Sequence, residues 1–462
     1  MDARNLPSRT NLTKGLAEKK RSRPCGFVKR LAQVAVVLGI PANAVFVWAE
    51  TPQEWVAAEV PQLTQLYESL HQAPELSFQE EKTSARMAEL LRELGLTVTE
   101  QVGGHGVVGV LENGAGKTLL LRADMDALPV VEVTELPYAS QVKTRDERGA
   151  TVGVMHACGH DMHMTNLVGA VRFLASHRDL WQGTLVVIFQ PAEERGAGAQ
   201  AMIDDGLLSR FPRPNYAVAL HVAADRPSGT VGYRAGYACA NVDSVDITIR
   251  GRGGHGAYPH TTIDPVVIAA RLVLDLQTIV SREIDPIEPA VITIGSIHGG
   301  TKHNVIGDTC ELQLTVRSYT PEVREQLLKA IRRKALAAAA SSNATEPEVK
   351  VSEGTPALFN DPQLTERVVA ALKPALGEAN VIEVPPTMGG EDFGRFGGAG
   401  VPIVMLQLGA VNSERLDEFK KAGTPPPSLH SPKFYPDPER TITTGVATLA
   451  TAALELLRPT SE

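Results

Sequence analysis

Cysteine is scarce, four residues in 462, which excludes a small scaffold held together by disulfides. Beyond residue 49 no stretch has the length and continuous apolarity of a membrane-spanning helix. Net positive charge is missing from the body of the chain. Residues 1–49 hold nine Lys or Arg against two acids, +7, which leaves −15 for the remainder of a chain whose formal net charge is −8. An acidic body is a poor binder of polyanions, so nucleic acid is not an expected partner. Internal repeats and long low-complexity tracts are lacking too. What is present is 43% hydrophobic residues in a length sufficient for two or three domains with real cores.

The basic segment has its own logic. After Lys29-Arg30 comes LAQVAVVLGIPANAVFVWA, apolar and ending in small residues at alternate positions. A positive pair, an apolar run and a small-residue end make the plan of a secretory signal, with Val47 and Ala49 before a cut at Glu50. Gly39-Ile40-Pro41 interrupts the run and no basic stop-transfer cluster follows, so cleavage is expected and a retained anchor is not. Residues 1–49 are therefore read as a signal peptide, with the mature protein secreted, or periplasmic in a Gram-negative source. Removing Cys25 leaves Cys158, Cys239 and Cys310, an odd number, so at least one thiol has work other than a disulfide.

Residues 60–95 carry two helical stripes, Leu63, Leu66, Tyr67, Leu70 and then Ala85, Ala88, Leu91, Leu94. Four short runs are apolar without alternation: Thr118 to Arg122, Thr184 to Phe189, Tyr216 to Leu220 and Ile403 to Leu408. Continuous apolarity suits strands covered on both faces. A helical stripe from Met164 to Leu174 lies between the first two. The pattern predicts an α/β fold: a mixed, mostly parallel sheet flanked by helices. From 243 to 352 the order changes to strand, helix, strand, strand, helix, strand, with Asp264-Pro265 and Thr320-Pro321 opening the helices. That is a ferredoxin-like α+β unit inserted into the larger domain. The expected division is 50–237 and 354–462 for the catalytic domain and 238–353 for the insert.

Each of the first three buried runs ends in groups that bind cations: Asp124-Met125-Asp126, Glu193-Glu194 and His221. Open α/β sheets present ligands at the carboxyl ends of their strands, so residues a hundred positions apart can converge there. Between the first two runs lies HACGHDMH, from His156. A Cys-x-His pair alone is weak, and Glu-Glu is by default an exposed acidic turn. Their coincidence carries the weight: Cys158, His160, Glu194, His221 and the loop residue His430 supply S, N and O donors for two transition-series ions. Of the two glutamates at the strand end, one can serve a metal while the other takes a proton from water.

Seven segments, HQAPELSFQEEKT, LRADMDALPV, HACGHDMH, FQPAEERGAGA, GRGGHGAYPH, GGEDF and LHSPKFYPD, occur in an order that resembles the M20 metallopeptidase family, most of all its amidohydrolase branch. The resemblance runs from residue 55 to the C-terminus. It implies Cys158, His160, Glu194, His221 and His430 as ligands of two divalent ions, with Cys158 between them. It implies Glu193 as general base and Asp126 as the acid that orients a ligand histidine. Asp124 stands where other branches have a metal-binding histidine. The insert resembles the family's lid and dimerisation domain, so a homodimer is expected, with His255 reaching the partner's site as an oxyanion donor. Asn304 and Arg317 are candidates for substrate contact. Arg195, Gly256 and Gly307 depart from the usual pattern and bear on substrate fit and lid geometry.

The activity expected from these residues is hydrolysis of the amide bond of an N-acyl amino acid. A dipeptidase or carboxypeptidase with the same machinery is the alternative, and a secreted metal-binding protein on an inactive scaffold is disfavoured by the presence of every ligand together with Glu193. Thiolate favours zinc by softness, while manganese, cobalt or nickel also suit the donor set.

Overall fold

The computed structural model describes residues 50–459. The expected signal peptide lies outside them.

Eight strands form the larger sheet, in the order Thr97–Val102, Gly106–Asn113, Gly183–Gln190, Lys117–Asp124, Tyr216–Pro227, Ile403–Val411, Val231–Tyr233, Val381–Glu383. The middle four are mutually parallel, and they contain the four apolar runs of the sequence. From Leu119 to Asp124 every residue is buried, because helices cover both faces and water reaches neither. One face packs on the helices Pro52–His71, His160–Ser176, Pro362–Leu376 and Pro438–Leu456, in a core that includes Leu121, Val187, Leu406 and Phe173. The other face buries Leu120, Val186, Ile188, Phe393 and Phe396. The N-terminal helical stretch resolves into Pro52–His71, opened by a capping box between Thr51 and Glu54, and Glu81–Glu93. The two antiparallel strands at 97–113 were not expected from the sequence.

The second sheet has four antiparallel strands, ordered Ala290–Gly299, Thr309–Ser318, Asn241–Arg250, Glu348–Glu353. Its two helices begin where the sequence places them. Asp264 accepts from Val266 N and Val267 N ahead of Pro265–Arg282, and Thr320 accepts from Val323 N ahead of Pro321–Ala340. Val245, Ile247, Leu272, Leu312, Leu327 and Ile331 make this unit's own core. Among the described residues no helix is long and apolar enough to cross a membrane.

Candidate metal centre

The carboxyl ends of the parallel strands converge on one cluster. Asp124 ends its strand and Asp126 follows two residues on. Glu193 and Glu194 form a single helical turn just past Gln190. That turn requires Ala192 at φ +50°, an unfavourable conformation for a residue with a side chain, and the Ala192 N–H is held there by Glu80 Oε1 at 2.8 Å. Gly159, at φ +79°, brings Cys158 and His160 together at the start of the helix His160–Ser176. A Cβ at that position would lie 2.6 Å from Val222 Cγ2, so only glycine lets the loop close against the strand that bears His221. His430 arrives from the far end of the chain, its backbone N–H donating to Ala157 O at 2.9 Å.

Hydrogen bonding fixes how each imidazole presents itself. His160 Nδ1 faces Asp126 Oδ1 at 3.2 Å, and His221 Nδ1 faces the Val222 carbonyl at 2.9 Å. Both must donate from Nδ1, because their partners only accept, which leaves both Nε2 atoms aimed inward. His221 Nε2 lies 3.5 Å from Cys158 Sγ. His160 Nε2 is buried with no hydrogen-bond partner, 3.8 Å from a Glu194 oxygen and 3.9 Å from a Glu193 oxygen. His430 Nε2 lies 3.5 Å from the other Glu194 oxygen. Asp126 is engaged on both oxygens, by His160 on one side and by Ser77 Oγ and the Glu194 N–H on the other.

His163 shows the opposite arrangement. The Val222 N–H donates to its Nε2 at 2.9 Å, so the proton sits on Nδ1 and is donated to Asp124 Oδ1 at 2.6 Å. Asp124 Oδ2 accepts from Arg122. His163 thus has no free lone pair, whereas Asp124 Oδ2 still lies 3.8 Å from His160 Nε2, and Asp124, His160 and His163 also offer donor atoms within 4.8 Å of one another. Arg122 lies wholly inside the protein and also donates to Gln190, Glu391 and Asp392. This hub was missed in the sequence; its signal was a lone arginine in an otherwise apolar strand, followed at once by acids.

Electrostatics call for positive charge. Burial, together with Glu391, Asp392 and Glu194, pushes the Glu193 carboxyl well above the usual range. Burial and the nearby Asp126 and Asp124 raise Glu194 to about 7 despite His160. Cys158 is raised by burial and by the same glutamates. For His160 burial works downward, but Asp124, Asp126 and Glu194 outweigh it and lift the ring to about 10. Crowded carboxylates, a buried thiol and inward-facing imidazole nitrogens are what a divalent cation relieves. Cys158, His160 and His221, the trio Cys158, Glu194 and His430, and the trio His160, Glu193 and Glu194 each offer donor atoms within 4.8 Å of one another. All three cysteines of residues 50–459 are free.

The cluster opens into a cavity of about 1150 Å³ lined by Cys158, Glu193, Glu194, His221 and His430 on one side and by Arg317, Met388 and Leu429 among others. Arg317 donates to the Met388 carbonyl at 2.7 Å. His255 and Asn304 do not line it. They adjoin each other on the exposed two-stranded ribbon of Gly254–His255 and Val305–Ile306, where Gly256 N donates to Asn304 O.

Residues 120–455 match the model of peptidase family M20/M25/M40. A thermostable carboxypeptidase from Saccharolobus solfataricus is 41% identical over 339 residues, which are 72% of this chain and 82% of that one. The hippurate hydrolase of Campylobacter jejuni is 38% identical over 329 residues, 71% of this chain and 82% of its own. Among solved structures, a dinuclear metal-binding M20 peptidase from Bacillus subtilis superimposes with a TM-score of 0.70 at 30% identity, covering 87% of this chain and 99% of its own. With this match and a ligand-rich cluster at the strand ends, the chain belongs to peptidase family M20/M25/M40 and is a metal-dependent hydrolase of amide bonds.

Proposed function

We propose that the protein hydrolyses the amide bond of N-acyl amino acids, with Cys158, His160, Glu194, His221 and His430 holding two divalent ions and Glu193 as the base. The observation that carries this is the unpartnered His160 Nε2 set among Glu193, Glu194 and Asp124 at the edge of the cavity. When bound, the ions would polarise the amide carbonyl and make water more acidic. Glu193 lines the cavity, has no role in fixing a histidine, and has its proton affinity raised by burial and by the carboxylates crowded around it, which suits a group that takes a proton. Its task is to accept the proton of the attacking water and deliver it to the leaving nitrogen. Asp126 fixes the His160 ring. Zinc or manganese is the expected metal, with cobalt or nickel as alternatives.

Acyl rather than aminoacyl substrates are supported by the similarity to a hippurate hydrolase. A free substrate ammonium needs an acceptor. Outside the donor set the lining acids are Asp225, which is exposed, and Glu391, whose Oε1 is held by Arg122 and by Phe393 N while its Oε2 has no partner and is the acceptor a free dipeptide would use. The similarity to a carboxypeptidase keeps a peptide substrate as the second reading. Assay of the metal-loaded enzyme against N-acetyl, N-benzoyl and indole-acyl amino acids beside free dipeptides decides between them, and preferential turnover of dipeptides sinks the first. Cobalt substitution tests the ligand set without reference to activity. A thiolate-to-cobalt absorption band is expected, lost in Cys158→Ser.

The proposal extends to a homodimer through the four-stranded unit. Ala257 N donates to His255 Nδ1 at 3.0 Å, so a neutral His255 carries its proton on an exposed Nε2, free to donate to an oxyanion elsewhere. Mixing His255→Ala with Glu193→Gln subunits would restore a fraction of activity if the site is shared. No recovery despite demonstrated subunit exchange rules it out. Asn304 beside His255, and Arg317 in the cavity wall, are assigned to substrate contact. Export to the periplasm or medium is proposed on the leader alone and is tested by the N-terminal sequence of the mature protein.

A further inference from the structure

Three arginines line the cavity: Arg195, Arg226 and Arg317. Two have evident partners. Arg195 pairs with Glu147, and Arg317 with the Met388 carbonyl. Arg226 is different. Its side chain is only 20% exposed, and its Nη1 is buried with no hydrogen-bond partner. Among the described residues the acid within ion-pair reach is Asp225, 3.4 Å from Nε and 72% exposed, so water screens that pair and Nη1 is left unserved.

The position of this guanidinium is built into the sheet. A Cβ at Gly232 would lie 2.5 Å from Nη1 and 2.8 Å from Val384 Cγ1, so the Arg226 head occupies the space that a side chain on Val231–Tyr233 would fill. Gln407, whose Cβ flanks the same spot, also lines the cavity. Arg226 follows His221 by five residues on one strand, which places it up to roughly 16 Å from the metal cluster. The cavity is larger than an acetyl group and one small amino acid require.

Resting on the N-acyl amino acid reading, we infer that Arg226 is a specificity-determining residue. It takes a second carboxylate, distinct from the substrate's α-carboxylate and remote from the scissile bond. That group is carried either by a long acyl chain or by the amino-acid side chain. A guanidinium with an unserved N–H in a largely apolar wall binds a carboxylate strongly and gains little from a methyl group.

The test uses matched pairs on the metal-loaded enzyme. One arm compares N-suberoyl with N-octanoyl amino acids, and the other N-benzoyl-glutamate with N-benzoyl-glutamine. In at least one arm the dicarboxylate is expected to have the higher kcat/KM by about tenfold or more. Arg226→Met should collapse that ratio chiefly through KM, and Arg226→Lys should retain part of it. Gly232→Ala should lower the ratio as well, since the added methyl displaces the guanidinium from its place. Metal content and Tm matching the parent establish that each variant is folded. Flat ratios in both arms, or ratios that Arg226→Met and Gly232→Ala leave unchanged, overturn the inference while the hydrolase reading stands. Failure to turn over any N-acyl amino acid overturns that reading, and this inference with it.

Discussion

Two buried ionic clusters meet at consecutive residues, His160 and Asp161, and they are finished to different degrees. In the second, His71 is clamped from both sides, with Nδ1 2.6 Å from Asp161 Oδ2 and Nε2 3.0 Å from Glu132 Oε1. Glu132 is saturated further by Thr134 Oγ1 and Ser140 N. Burial would lower His71, but Asp161 and Glu132 outweigh it and raise the ring to about 10, while both carboxyls are held below their usual range. Every side-chain nitrogen and oxygen of His71, Asp161 and Glu132 there has a hydrogen-bond partner. Around His160 the sum does not close: one imidazole nitrogen has no partner, and two glutamates and a thiol are pushed up. A satisfied buried network fastens elements together, here the end of Pro52–His71 to the start of His160–Ser176, whereas an unsatisfied one is a receptor for something.

The contrast is broken most sharply at Glu193. Glu193→Gln should leave the metal content intact and cut kcat by at least ~100-fold, since only proton transfer is removed. Substantial turnover in a fully loaded variant would assign the base to another carboxylate. His71→Gln should do the reverse. It strands two buried carboxylates and should cost about 3–5 kcal/mol of stability. The sign of its pH dependence follows from the shifts. The raised imidazole contributes fully below its ordinary value of 6.5 and loses its contribution as pH rises through about 10. The lowered carboxylates contribute above their ordinary values and lose their contribution as the solution turns acidic. Denaturant titrations should therefore show the widest gap between parent and variant between about pH 5 and 6.5, narrowing toward pH 10. A gap that widens with rising pH would contradict the clamp. The smallest effect belongs to Ser77→Ala, which removes one of the donors holding Asp126. Metal affinity should fall by about tenfold with the fold intact, and titration with a competing chelator measures it.

The strand ends and the candidate donors gathered there were legible in the sequence because two signals coincide: uninterrupted apolar runs and the His, Cys and acidic residues that follow them. The four-stranded unit was legible from alternation, as in Val245, Ile247 and Ile249, and from its Asp-Pro and Thr-Pro helix starts. What escaped depends on pairing at long range. Arg122 reads as the end of an apolar run, and only the fold reveals acceptors at Glu391 and Asp392, about 270 positions later. His71 stands in a segment that marks the family, but its role needs Asp161 and Glu132 brought to it from two other elements. The strands 97–113 escaped because Gly103-Gly104 split them and the first strand is mostly polar and exposed. Arg226 gave no signal at all, since its place is defined by a missing side chain on a neighbouring strand.

The bond from His430 to Ala157 also has a meaning in time. The strand Ile403–Val411 sits in the middle of the sheet, between Tyr216–Pro227 and Val231–Tyr233, and the loop bearing His430 comes later still. A chain growing from its N-terminus can therefore complete neither this sheet nor the cluster at its strand ends until residue 430 has been made. On the proposed donor set, a chain that stops short of residue 430 would lack one of the groups that hold the ions.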